Sequence, residues 1–102
     1  MTEYVAKRNP NRCPSHPGVL IADLLQELKV PVSQGARAIG ISRQHLYSLI
    51  AQKKPVTAAV AVRLGKAFND GPDVWLRMQG AYDTWHAARE VDLSTTQVLK
   101  AA

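Results

Sequence analysis

The chain has 102 residues, of which 46% are hydrophobic, and a net charge of +5 at pH 7, which suits one domain with one modest core. Its single cysteine excludes an intramolecular disulfide, and no apolar run approaches the roughly 20 residues of a membrane span. The first 15 residues lack the apolar centre of a signal peptide, so we expect a cytoplasmic protein with no membrane partner.

The positive charge is concentrated in one part of the chain. No acidic residue lies between Glu27 and Asp70. The basic residues of that interval are Lys29, Arg37, Arg43, Lys53, Lys54, Arg63 and Lys66. A local field of this kind attracts a polyanion and gives binding that weakens with salt, so the charge pattern favours nucleic acid as a partner.

We divide the chain into three segments. Residues 1–15 mix basic residues, asparagine and proline with little hydrophobic spacing, and we expect a flexible basic arm. Such an arm either enters a minor groove or stays free in solvent. Residues 16–90 are expected to form a domain for DNA binding and dimerisation, and residues 91–102 form a tail without assigned structure.

Five helices are predicted over residues 16–90, which makes the fold class all-α. Apolar residues at helical spacing predict the first helix, and Pro31 breaks the chain before the second. Ser42 is expected to cap the third helix and Thr57 the fourth. A turn-rich stretch then precedes a long C-terminal helix that runs to about Glu90.

Helical spacing also predicts which side chains form the core. On the first helix these are Leu20, Ile21, Leu24, Leu25 and Leu28. On the fourth helix they are Val60, Leu64, Ala67 and Phe68. Each set lies on one side of its helix, as expected of an amphipathic element.

Residues 32–51 have the spacing of a helix-turn-helix. With Val32 counted as the first position, the small residue Ala36 falls where two helix axes cross. Gly40 falls where a left-handed backbone ends the first helix of the pair. Leu46 and Leu49 then supply apolar contacts from the second helix.

The outward face of that second helix is the candidate DNA-reading surface. Its residues are Arg43, Gln44, Tyr47 and Ser48. Arginine bonds guanine bidentately, glutamine does the same to adenine, and hydroxyl groups reach bases or phosphates. The alternative is an ordinary solvated polar face, against which the helix-turn-helix spacing and the local charge both argue.

Four further residues are predicted to contact phosphate. Ser42 and His45 flank the reading face, and Lys53 and Lys54 follow just beyond the helix. Phosphate contacts position a protein on DNA without conveying sequence. For the two loop lysines, plain solvation is the alternative.

An apolar stripe on the last helix predicts a homodimer. Trp75, Met78, Tyr82 and Trp85 recur at steps of three, four and three, as in a helix-packing seam. We expect Trp75 to point inward and Met78, Tyr82 and Trp85 to be shared with a second copy. Closure of the core within one subunit is the alternative.

The sequence offers little for catalysis, metal binding or a cofactor. Cys13 and the three histidines do not pair at a spacing that suggests an active site, and no glycine-rich phosphate loop is present. Cys13 and His16 are too isolated for a metal site, which needs three or four ligands. We therefore expect no enzymatic activity, no metal and no cofactor.

Five stretches of the chain carry a resemblance to a known family. They are His16-Pro-Gly, Gly40-Ile-Ser-Arg-Gln-His-Leu46, Lys54-Pro-Val-Thr57, Ala61-Val-Arg-Leu-Gly-Lys-Ala-Phe68 and Val74-Trp-Leu-Arg-Met-Gln-Gly-Ala-Tyr-Asp-Thr-Trp85. Together they resemble HigA-type antitoxins, which are XRE/Cro-like transcription regulators. Many repressors share the helix-turn-helix, so the last stretch is the most specific.

The resemblance implies a lambda-repressor-like fold and a defined set of partners. These are a second copy of the chain, palindromic operator DNA and a HigB-type ribonuclease toxin. The protein would repress its own operon, and it would be associated with the nucleoid when bound there. A stand-alone repressor without a toxin is the alternative.

Overall fold

The structure is a computed structural model that describes residues 11–100. It contains the helices α1 (Pro17–Glu27), α2 (Val32–Ile39), α3 (Arg43–Ile50), α4 (Ala58–Ala67) and α5 (Asp73–Glu90). No strand occurs within residues 11–100, so the predicted five-helix, all-α fold is confirmed. Residues 1–10 of the expected arm and residues 101–102 of the tail lie outside the described part.

The helices meet around one core. Helix α1 packs on α3 and α5, α2 packs on α3 and α4, and α4 packs on α5. Ile21, Leu46, Leu64 and Trp75, from four of the five helices, are all 0% exposed, which confirms that Trp75 points inward. None of the helices within residues 11–100 is long and apolar enough to cross a membrane.

Side chains cap three of the helix N-termini. The Ser42 hydroxyl accepts a hydrogen bond from the backbone N–H of His45 at 3.0 Å, and that of Thr57 accepts one from Val60 at 3.3 Å. Both predicted caps are confirmed. A third cap, on α1, was not predicted from the sequence; it comes from the ring of His16. Each cap satisfies a backbone N–H that has no partner inside its helix.

Four helices end on a residue with a left-handed backbone. Gly40 ends α2 with φ 89°, as predicted, but Lys29, Gln52 and Asn69 follow α1, α3 and α4 with φ between 56° and 62°. After each of these turns a backbone N–H bonds back into the helix; that of Lys53 donates to the Ser48 carbonyl at 2.9 Å. This closure satisfies a terminal carbonyl and fixes where the chain leaves the helix.

Two predicted core positions are wrong. Leu28 is 58% exposed because α1 ends at Glu27 and Leu28 already belongs to the terminal turn. Ala67 is exposed at the last residue of α4, whereas Ala61 and Gly65 are buried. A Cβ atom on Gly65 would overlap the backbone of Gly71 and Pro72 in the turn before α5, so this side of α4 is the one that packs.

Gly18 allows α1 to lie directly on the last turn of α3. A Cβ atom at position 18 would overlap the carbonyl oxygen of Leu49. That carbonyl belongs to backbone and cannot rotate away. The absence of a side chain at Gly18 therefore sets how closely the two helices approach.

We predict that Gly18→Ala lowers the free energy of unfolding by about 1–3 kcal/mol, because the added methyl group overpacks the contact. Gly80→Ala is the matched control, since Gly80 is exposed inside α5 with no atom near its Cβ position. The control should gain up to about 1 kcal/mol from better helix propensity. Urea unfolding of both variants measures the difference. Wild-type stability in Gly18→Ala would contradict the account.

Candidate nucleic-acid interface

Helix α3 presents one polar face to solvent. Its opposite face carries Leu46 and Leu49, both 0% exposed. The helical repeat then turns Arg43, Gln44 and Tyr47 outward, and all three are exposed. The core thus fixes which side chains of α3 can reach a partner.

The outward residues of α3 line one shallow concave surface together with the loop that follows. Its lining residues are Arg43, Gln44, Tyr47, Ser48, Ala51 and Lys53. All four residues predicted to read bases are therefore brought together, with Lys53 beside them. The surface combines a guanidinium, an amide, two hydroxyls and an ammonium group, which suit base edges and phosphates.

Ser42 and His45 lie at the N-terminal end of the same helix. The Ser42 oxygen accepts the bond from His45 N–H, which leaves the hydroxyl hydrogen free to donate to an anion. The helix dipole also favours negative charge at this end. His45 is half-buried and Ser42 is exposed, so of the two Ser42 is the more open to a phosphate.

The predicted phosphate lysines occupy the loop between α3 and α4. Lys53 and Lys54 are both exposed. The Lys53 backbone N–H donates to the Ser48 carbonyl and Lys53 lines the concave surface, whereas Lys54 is not among the residues that line it. The structure brings Lys53, and not Lys54, to the base-reading residues.

The loop also contacts residues that lie far from it in the sequence. The Val56 backbone N–H donates to Gln79 Oε1 on α5 at 2.7 Å. The backbone of Lys54 lies close enough to the His16 ring to act on its pKa. Neither contact has a local sequence signal, because each joins residues more than 20 positions apart.

His16, the residue that caps α1, is buried. It is 3% exposed, and its Nδ1 accepts a hydrogen bond from Gly18 N–H at 2.9 Å. Burial lowers the pKa of His16, while the neighbouring Lys54 backbone and the negative charge of Asp83 act in the opposite direction. The neutral ring with its proton on Nε2 fits these partners.

Two residues of the predicted dimer stripe, Tyr82 and Trp85, contact other side chains of the same chain. The Tyr82 ring lies 5.0 Å from the ring of His16 and 4.5 Å from that of His86. Arg89 lies over the Trp85 ring at 3.6 Å. Met78, Tyr82 and Trp85 all remain partly exposed, so their assignment to a dimer interface stays a prediction.

Cys13 is closer to a histidine than the sequence indicated. Its Sγ lies 3.5 Å from His86 Nε2, and His86 Nδ1 lies 3.9 Å from a Glu90 carboxylate oxygen. Across residues 11–100 no group of three or more His, Cys, Asp and Glu side chains is placed to hold a metal ion.

Comparison with known proteins identifies relatives of this chain. No family model matches the chain. Virulence-associated protein A′ of Dichelobacter nodosus is 38% identical over 71 residues, which cover 69% of this chain and 62% of that protein. The chain therefore spans less than two thirds of this relative.

Two solved structures are similar over most of the chain. A proposed antidote protein of a plasmid maintenance system from Nostoc punctiforme is 34% identical, with a TM-score of 0.76, over 89% of this chain and 100% of that one. The antitoxin HigA of Pseudomonas aeruginosa, solved with the higBA promoter, is 26% identical with a TM-score of 0.71. That match covers 84% of this chain and 97% of HigA.

The buried state of His16 predicts a pH-dependent stability. Because its pKa is lower in the folded chain than in the unfolded one, the unfolded chain binds the proton more readily. The free energy of unfolding should therefore fall as the pH drops below about 6.5, the ordinary histidine pKa. His16→Asn keeps a capping acceptor for Gly18 and removes the titrating ring, so the fall should be smaller.

Urea unfolding of the two proteins at several pH values between 5 and 8 measures this difference. Every other residue is the same in the two proteins, so the contributions of those residues cancel in the comparison. A fall of equal size in wild type and His16→Asn would contradict the assignment.

Proposed function

The chain belongs to the HigA-type family of XRE/Cro-like helix-turn-helix regulators, and from that premise we propose that it is the antitoxin of a type II toxin–antitoxin operon. In this proposal it binds a palindromic operator as a homodimer, represses its own operon and neutralises a ribonuclease toxin. The observation that carries the proposal is the single concave surface formed by the outward face of α3 and Lys53, inside an interval without acidic residues.

The surface supports reading of the major groove. In helix-turn-helix docking the first turn of the second helix meets base edges, and in this chain that turn carries Arg43 and Gln44. Arg43 is proposed to bond guanine and Gln44 adenine, with Tyr47 and Ser48 reaching neighbouring bases. The similarity to HigA solved with the higBA promoter supports the same mode of binding.

The flanks of the reading face supply the phosphate contacts in this proposal. Ser42 and His45 stand at the N-terminal end of α3, and Lys53 and Lys54 stand beyond its C-terminal end. Contacts at both ends hold the helix in register along the groove without reading sequence. Among residues 11–100, no carboxylate forms an ion pair with either lysine, so both charges are available to DNA.

A homodimer accounts for operator specificity. One reading helix covers a few base pairs, whereas a two-fold pair presents two helices about 34–36 Å apart to successive major grooves. The partly exposed residues Met78, Tyr82 and Trp85 on α5 are proposed to form this interface. A symmetric contact would bring each stripe against its copy.

The toxin assignment rests on the family. The Nostoc relative is a proposed antidote protein and the Pseudomonas relative is an antitoxin, so we propose a HigB-type ribonuclease as the third partner. Co-expression with the product of a neighbouring toxin gene tests this step. A stable complex that lacks ribonuclease activity supports it, and the absence of any complex or inhibition supports a stand-alone repressor.

For base reading, we predict that Arg43→Ala and Gln44→Ala each lose about 1–3 kcal/mol of affinity for the operator and much less for scrambled DNA of equal length. Arg77→Ala is the charge-matched control for Arg43, since Arg77 is exposed on α5. Fluorescence anisotropy with both DNAs measures the losses. Equal losses on the two DNAs would show that these side chains only hold phosphate.

For dimerisation, we predict that Trp85→Glu gives a folded monomer, because the charge is placed in an interface where an aromatic anchor contributes about 2 kcal/mol or more. The monomer should keep weak, salt-sensitive DNA binding and lose operator preference. Thr84→Glu adds the same charge at an exposed neighbouring position and should stay dimeric. Sedimentation and circular dichroism decide between the outcomes, and a folded Trp85→Glu dimer would rule out this interface.

A further inference from the structure

The loop that carries Lys53 is anchored to the last helix through a buried hydrogen bond. Gln79 on α5 is 6% exposed and accepts from the backbone N–H of Val56 at 2.7 Å. The Val56 side chain is itself buried in the core. A backbone N–H buried at this position would be left without a partner if Gln79 lost its oxygen, which is costly in any protein interior.

The orientation of the Gln79 amide is set by a second contact on the same helix. Its Nε2 donates to Asp83 Oδ1 at 2.9 Å. The reversed amide would place its NH₂ group against the Val56 N–H and its oxygen against the carboxylate, so only one orientation satisfies both partners. Asp83 thereby directs the Gln79 oxygen at the loop.

The buried ring of His16 also lies near this loop. It packs edge-on against Tyr82 of α5 at 5.0 Å, and the backbone of Lys54 is close enough to act on its pKa. At the start of the loop, the Lys53 backbone N–H donates to the Ser48 carbonyl of α3. The loop is therefore bonded to α3 at its start and to Gln79 of α5 at Val56.

We propose that Gln79 is a positioning residue for DNA binding. Through Val56 it holds the loop between α3 and α4 so that Lys53 lies on the same surface as Arg43 and Gln44. The inference rests on the proposed DNA-binding function, in which Lys53 contacts phosphate. In this proposal α5 takes part in DNA binding by positioning the loop, although it contributes no side chain to the concave surface.

The test is the salt dependence of operator affinity, measured for wild type, Lys53→Ala, Gln79→Met and the double variant. The logarithmic slope falls by about one unit when one phosphate contact is lost. Gln79→Met should reduce the slope as Lys53→Ala does, although it removes no charge. In the Gln79→Met background, Lys53→Ala should change the slope no further, because the contact is already lost.

A charge-neutral rescue separates positioning from a general packing defect. Gln79→Glu combined with Asp83→Asn keeps the net charge and exchanges the donor and the acceptor between the two positions. The introduced carboxylate still accepts from Val56 N–H, so this pair should return the wild-type slope. Circular dichroism checks folding of every variant, and Gln79→Asn, whose amide is too short to reach Val56, replaces Gln79→Met if the latter does not fold.

The outcomes are distinct. A wild type without salt-dependent operator binding, or Lys53→Ala with an unchanged slope, overturns the proposed phosphate contact and this inference with it. A folded Gln79 variant with the wild-type slope overturns the inference alone. So do additive slope losses in the double variant, or a rescue pair that keeps the reduced slope.

Discussion

The burial of Leu46 and Leu49 is the constraint on which the proposed DNA-binding surface depends. Helix α3 has eight residues, and a helix of that length is unstable on its own in water. Burying each leucine contributes about 1.5–3 kcal/mol, and both side chains are completely buried. The same burial orients the helix, so Arg43, Gln44 and Tyr47 face solvent because the leucines do not.

Other helices contact both α3 and the loop that follows it. Gly18 allows α1 to lie against the last turn of α3, and the left-handed backbone of Gly40 forms the turn that leads from α2 to the start of α3. Helix α5 holds the loop through the bond from Val56 N–H to Gln79, and the α1 cap residue His16 lies near the Lys54 backbone. The proposed interface therefore consists of the outward face of α3 and the loop after it, and each of the two is held in place by contacts with other helices.

The sequence predicts helices and their polar faces well because those features are local. The start of α2 at Val32, the end of α5 at Glu90 and the left-handed Gly40 are confirmed. The left-handed turns at Lys29 and Gln52 were not predicted, because no glycine marks these positions; the backbone bonds from Val30 to Leu25 and from Lys53 to Ser48 close the two helix ends there. The Gln79–Val56 bond spans 23 positions, and no local pattern of residues signals a contact of that range.

We propose that DNA contacts the outward face of α3 and the loop after it, and that α5 holds this loop in place without touching DNA. Titration of ¹⁵N-labelled protein with DNA from upstream of its own gene tests this proposal residue by residue. We expect the largest amide shifts at residues 42–48 and 51–54, with smaller shifts at Val56 and in the Gln79 side-chain amide. Shifts concentrated on α1 or on the exposed face of α4, with residues 42–48 unchanged, would contradict it.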